Sequence, residues 1–380
     1  MSTASHEPHG LSISGFEEML RRAVSQRSRV YSFVSSLSIR WENDQTNAEG
    51  DCNKFRDIVH LFGFPTPEQY VIPLEDRAPT MALNHKFWGM LCQALTTNGR
   101  ALLLVHYAGH GVEKEGELFF TSGNHRYSIA IMRILAQVDT NSLFLSSNTE
   151  VDTVFIFDSC FSHVATRNSV YTERIVEVLA ATSPRTPLAN AAQGRASFTG
   201  KLWNEIMAKR AAGHKSVELA QLMDTLMTNS PRVTPSYKLL VGVHSLRLEL
   251  PGGSVSNVAP PPVVEPEYFA VFSVYVAESL AKSALDTLTE WIHALPRNIG
   301  LTLDNVYVTS SMLLMFRSSR YLFLKLNGLN NVTFVHYLRI PNHASLVIQH
   351  IESTNAASKQ QENLFPRPLE AARKRRHTVC

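Results

Sequence analysis

Two short stretches of this chain hold the residue types best suited to covalent chemistry. In the first, an apolar run at 102–105 leads into His106-Tyr107-Ala108-Gly109-His110-Gly111. In the second, an apolar run at 154–157 leads into Asp158-Ser159-Cys160. A thiol is a weak nucleophile at its free pKa, and an imidazole within reach can deprotonate it and later protonate a leaving amine. His110 and Cys160 are therefore a candidate base and nucleophile. Gly109 and Gly111 allow a sharp turn and a close backbone approach. The backbone N–H groups of Gly111 and Cys160 are candidates to hold the oxyanion of an acyl-transfer intermediate. Two simpler readings stand beside this one. Cys160 can be a buried small hydrophobe and His110 an ordinary loop residue. His106, His110 and Cys160 can also be read as zinc ligands, although the β-like run before the histidines opposes the helical i, i+4 spacing that such a site favours.

These residues need elements to position them. Unbroken apolar runs of strand length fit strands covered on both faces of a parallel sheet. Reactive groups at their carboxyl ends fall where open α/β sheets place their sites. Upstream, residues 30–39 read as a first core strand. Asp51 caps a helix whose Phe55, Ile58, Val59 and Phe62 recur at helical spacing, ended by Gly63. A short strand at 70–74 and a helix at 84–97 follow. Downstream come a hairpin arm at 117–121 and a helix at 128–138 with Ile129, Met132, Leu135 and Ala136 inward. The cysteine strand is followed by a strand at 174–180, helices at 198–211 and 217–227, and a strand at 238–243. This alternation predicts an α/β three-layer sandwich, its sheet mostly parallel, with helices on both faces.

The motif pair HYAGHG and DSCFS resembles the caspase-like cysteine peptidases, the group of caspases, metacaspases and orthocaspases. Most of all it resembles the fungal caspase-domain proteins. The likeness spans residues 25–250, and the 50-residue separation of His110 and Cys160 matches that of caspases. It implies a caspase-like fold with His110 as base and Cys160 as nucleophile. It further implies that Asp158, two residues before the cysteine, lies in the pocket for the side chain preceding the cut bond, with Asp51 near a second acidic position. An acidic pocket selects Arg or Lys by ion pairing. In such enzymes the loop after the cysteine strand is cut during activation, which makes Arg167 and Arg174 the expected autocleavage positions. The family's small residue after the cysteine motif is His163 here, and Phe161 stands where a histidine is usual. Residues 122–132 carry no carboxylate, so no calcium activation, metal or cofactor is expected.

Composition sets the remaining bounds. The 380 residues are 44% hydrophobic and 18% charged with net charge +3, too little charge for a nucleic-acid binder on overall electrostatics. Four cysteines without CxxC spacing read as reduced thiols, and no run suits a signal core or a membrane span. A cytoplasmic or nuclear protein is expected. The domain organisation reads as a disordered leader at 1–24, the peptidase-like domain at 25–250, a Pro-rich linker at 251–267, a small α+β module at 268–344 and a disordered basic tail at 345–380. The module's β-α-β-β-α-β order fits a ferredoxin-like unit. Partners are expected to be polypeptide substrates, with a second copy or a signalling partner docking through 268–344. The alternative to an active peptidase is a catalytically weak scaffold whose C-terminal module is the effector.

Overall fold

The computed structural model describes residues 12–24, 29–139, 150–165, 174–189, 197–251, 268–276, 282–295, 299–308, 311–329 and 331–339. The expected linker, the basic tail and Arg167 lie outside them or nearly so. The chain opens with helix α1 (Ile13–Val24), strand β1 (Phe33–Trp41), helix α2 (Ala48–Leu61), β2 (Glu68–Ile72) and α3 (Pro79–Leu95). Next come β3 (Arg100–Ala108), β4 (His110–Lys114), β5 (Glu117–Thr121), β6 (Ser128–Ala130), α4 (Met132–Asp139) and β7 (Glu150–Asp158). A 3-10 turn (Ser162–Ala165) leads to β8 (Val176–Ala180), α5 (Phe198–Ala211), β9 (Ser216–Glu218), α6 (Leu219–Asn229), β10 (Ser236–Val241) and β11 (Arg247–Glu249). The last elements are β12 (Tyr268–Val276), α7 (Lys282–His293), β13 (Thr302–Val308), β14 (Met312–Ser319), α8 (Arg320–Leu326) and β15 (Val332–Arg339).

The central sheet has the order β10-β8-β7-β3-β1-β2. The pairs β1·β2, β1·β3, β3·β7 and β7·β8 are parallel, and only β10 runs antiparallel, against β8. Side chains alternate across the pleat. On β3, Ala101, Leu103, Val105 and Tyr107 face the core under α3 and α4, while Leu102 and Leu104 face the core under α2, α5 and α6. On β7, Val151, Phe155 and Phe157 join the first core, Val154 and Ile156 the second. The result is an α/β architecture with a mixed, mostly parallel sheet between two helical layers.

Several local expectations shift. The first strand starts at Phe33, and α3 starts at Pro79, where a proline costs no helical hydrogen bond. The helix expected over 128–138 splits: residues 128–130 pair with β5 as a third hairpin strand, and α4 begins only at Met132. That break rotates Ala136 outward and brings Ile134 and Val138 into the core. The helix expected from 217 likewise begins at Leu219, because residues 216–218 pair with β11.

The C-terminal elements form a four-stranded sheet in the order β13-β14-β12-β15, antiparallel at β12·β14 and β13·β14. Helix α1, from the expected leader, packs into this unit's core, with Phe16 set 5.2 Å from Phe316 by ring centroids. Helix α8 is buried along its whole length. Its Leu324 belongs to the core beneath α2 and α5, and its Leu322, Phe323 and Leu326 belong to the C-terminal core. Arg320 of α8 bonds the carboxylate and carbonyl of Asp224 and the Thr228 hydroxyl on α6. Lys325 pairs with Glu218 and donates to the Ala23 carbonyl at 2.8 Å. The two sheets thus share a helix held by charged hydrogen bonds. Among the described residues no helix is long and apolar enough to cross a membrane.

Burial raises the pKa of Asp224 and Arg320 works against that rise. Removing the guanidinium leaves a partly buried carboxylate without its arginine partner. Arg320→Ala is expected to lower stability by about 3 kcal/mol, measured by urea denaturation at neutral pH.

Candidate active site

Strands β3 and β7 pair along nine residues, from Arg100↔Glu150 to Ala108↔Asp158. The chain therefore leaves both strands at one edge of the sheet. The Gly109 amide donates to the Asp158 carbonyl at 3.2 Å. Gly109 has φ 143°, and a Cβ there would meet the Tyr107 hydroxyl at 2.9 Å and Asp44 Oδ1 at 3.3 Å. The Tyr107 hydroxyl donates to the His110 carbonyl at 2.7 Å and fixes the turn. His110 then opens the β4–β5 hairpin opposite Thr121. At Gly111 a Cβ would lie 2.3 Å from the Cys160 carbonyl oxygen and 2.9 Å from Ser159 Oγ. Only a glycine lets the histidine turn rest on the cysteine turn this closely. The structure thus sets Gly111 against Ser159 and Cys160, with His110 next to Gly111 in the same turn.

The cysteine side is held from the other direction. Phe161 adopts the left-handed conformation (φ 57°), unusual for a bulky residue, and its amide donates to the Pro187 carbonyl at 2.7 Å. The Ala189 amide donates to Cys160 Sγ at 3.3 Å. His163 bonds Thr182 Oγ1 through its amide (3.3 Å) and through Nδ1 (3.2 Å). Segment 160–163 is thereby stitched to the stretch that follows β8.

Electrostatics set a neutral resting pair. Burial raises the Cys160 thiol, the Ala189 amide opposes this, and Asp158 adds to it. Burial also lowers His110; Asp44 opposes the shift and His125 adds to it. His110 Nε2 is buried and has no hydrogen-bond partner among the described residues. A neutral imidazole with an open ring nitrogen can accept a thiol proton.

Two neighbours were not visible in the sequence. Asp44 precedes α2, accepts from the Thr46 and Ala48 amides at 2.8 and 2.9 Å and lies beside Gly109. His125 sits edge-on to His110 at 5.1 Å, its Nδ1 3.2 Å from Thr121 Oγ1. Hairpin register, rather than sequence spacing, brings it there.

Asp158 points to the opposite face, toward α5. Its Oδ2 accepts from the Thr199 amide (2.8 Å) and the Thr199 hydroxyl (2.9 Å). The other Thr199 contact is His106 Nε2 at 3.0 Å, and His106 Nδ1 meets Ser38 Oγ at 3.1 Å. His106 also stacks on Phe55 at 4.6 Å. Both ring nitrogens of His106 are engaged on the face away from His110, so it does not join His110 and Cys160 as a zinc ligand. No cluster of three or more metal-binding side chains occurs among the described residues. Asp51, expected to cap α2, lies inside it, because the helix already begins at Ala48; its carboxylate accepts instead from Ser197 Oγ, which caps α5 by accepting from the Gly200 amide at 3.1 Å. Asp51 and Asp158 thus both converge on the start of α5.

A small, open cleft lies there, lined by Asp158, Ala181, Ala189, Phe198, Lys201, Val233 and Pro235. Because Ala189 also donates to Sγ, the cleft adjoins the thiol. Arg174 is buried just before β8, with 6% exposure; Arg167 lies outside the described residues.

A scan against protein-family models matches none, and a search of curated proteins finds no match.

Burial, with repulsion from Asp158 second, raises Asp51 from 3.8 to about 7. The folded state therefore holds this proton more tightly than the unfolded chain. Its stability contribution is complete below pH 3.8 and is lost as pH rises to about 7. Asp51→Asn should abolish this part of the pH dependence, so the difference in melting temperature between variant and wild type should grow from pH 4 to pH 8. A difference constant across that range would contradict the assignment.

Proposed function

We propose that this chain is a cysteine-type endopeptidase of the caspase-like kind. The observation that carries the reading is the seating of Gly111 on the Cys160 carbonyl, which joins the histidine and cysteine turns at one sheet edge. His110 takes the proton from Cys160 Sγ, and the thiolate attacks the substrate carbonyl. The amides of Gly111 and Cys160 hold the resulting oxyanion, and imidazolium returns the proton to the leaving amine. Water, deprotonated by His110, then hydrolyses the thioester. The cleft beside Sγ receives the side chain before the cut bond, with Asp158 favouring arginine or lysine.

The strand order β13-β14-β12-β15 supports the ferredoxin-like reading of the C-terminal unit. Reduced-thiol usage supports an intracellular setting, and regulated proteolysis or cell death is the role the resemblance suggests. A second reading, a catalytically weak scaffold, draws on the resting charge state: a thiol held protonated and a neighbouring imidazole held neutral.

A panel of fluorogenic peptides with Arg, Lys, Asp or Ala before the cut bond separates these readings. The wild type should hydrolyse the Arg and Lys peptides best. Cys160→Ala and His110→Ala should each lose about 10³-fold or more in kcat/KM. Asp158→Asn should lower the Arg and Lys rates more than the Ala rate. Hydrolysis in excess chelator should equal that in calcium. No turnover of any peptide by the folded wild type would favour the scaffold, and better turnover after Asp would overturn the pocket assignment.

A further inference from the structure

The cleft beside Cys160 is not simply acidic. Two carboxylates, Asp158 and Asp51, converge on the start of α5, and two lysines accompany them. Lys54 of α2 lies over the Trp203 ring at 5.5 Å, and its side chain runs 3.6 Å from where a Gly200 Cβ would stand. Its charge works to keep Asp51 ionised. Lys201, one turn into α5, lines the cleft together with Asp158. The two attract each other: Asp158 favours the charged ammonium of Lys201, and Lys201 favours the carboxylate. Among the described ion pairs none joins them, so they share the cleft without closing it by a direct contact. The remaining walls, including Ala181, Phe198, Val233 and Pro235, carry no charge.

A guanidinium or ammonium entering this space would approach Asp158 only by also approaching Lys201. Asp158 has already given Oδ2 to the Thr199 amide and hydroxyl, which leaves little of the bidentate fork that favours arginine. Like charges placed together at a recognition site act against the ligand that brings the second one. The flexible lysine stem can move aside, at the cost of its attraction to Asp158.

We propose that Lys201 is a specificity-determining residue: an internal cation that competes with an incoming arginine or lysine side chain and narrows the margin by which the cleft favours a basic residue over a neutral one of similar length. The proposal rests on the assignment of this cleft to the side chain before the cut bond, but its test need not rest on turnover.

The test uses the full-length chain with Cys160→Ala, so that nothing depends on catalysis. N-acetyl-arginine methylamide and N-acetyl-norleucine methylamide are titrated by NMR into this protein and into its Lys201→Met and Lys201→Gln derivatives, each verified as folded by circular dichroism. Both derivatives should bind the arginine compound roughly tenfold more tightly or better, with the norleucine compound changed less than about twofold. Unchanged arginine binding in both derivatives, undetectable binding in all three proteins, or equal tightening for norleucine would each overturn the proposal; the last would mean that the substitution merely enlarged the cleft. A parallel hydrolysis assay with Cys160 intact keeps the two ideas apart. A gain in arginine binding without hydrolysis by any Cys160-containing protein would sustain the role of Lys201 and defeat the peptidase reading.

Discussion

The site depends on one pairing, the parallel register of β3 and β7. Nine consecutive pairs carry Ala108 and Asp158 to the same level, and everything reactive follows within two residues of that level. A slip of one residue would reverse the faces of β7, placing Asp158 under α3 and its neighbour among the α5 contacts. The register is pinned at its far end by Asp152. This fully buried carboxylate accepts from Arg29 at 2.8 and 2.9 Å, from the Tyr31 hydroxyl at 2.9 Å, from Arg100 at 3.1 Å and from the Ile175 amide at 2.7 Å. A buried charge with this many donors is costly to displace, so it fixes which residue of β7 stands beside which residue of β3.

The pleat then divides the labour between faces. Residues of one parity fill the core under α3 and α4, including Tyr107, whose hydroxyl holds the His110 turn. Residues of the other parity face α2 and α5, and Asp158 among them draws the start of α5 toward the sheet edge through Thr199. The helix that walls the cleft is thus anchored to the strand that leads into Cys160. Helix α8 extends the same logic, because its arginine bonds α6 and its lysine bonds Glu218 of β9 and the end of α1, while its apolar side chains fill two cores. Helices α5, α6 and α8 thus form a continuous packed path from that sheet edge to the second sheet.

Much of this was legible in the sequence, for physical reasons that also mark where legibility stops. Unbroken apolar runs at 102–105 and 154–157 reveal strands covered on both faces, and the helix expected at 198–211 is found there. Phe16, Met19, Leu20 and Ala23 are the buried residues of α1, and nothing in the local sequence says that they pack in one core with Phe316, 300 residues away. The 128–138 stretch carries helical periodicity, yet residues 128–130 go to β5 because an exposed hairpin edge offers backbone partners that periodicity cannot register. Asp158 was visible as an acid near the thiol. That Thr199 occupies one of its oxygens and that Lys201 shares its cleft depend on a helix starting 40 residues later.

The central claim is that Cys160 is a nucleophile served by His110. Stoichiometric alkylation by an arginyl chloromethyl ketone, located by peptide mass spectrometry, tests it most directly, because exposed Cys92 provides an internal reference and Cys52 is buried with its thiol raised to about 11. The account predicts one adduct, on Cys160, formed much faster than on Cys92 in the wild type and slowed to the Cys92 rate in His110→Ala. Labelling of Cys92 ahead of Cys160, or a Cys160 rate that His110→Ala leaves unchanged, would contradict it.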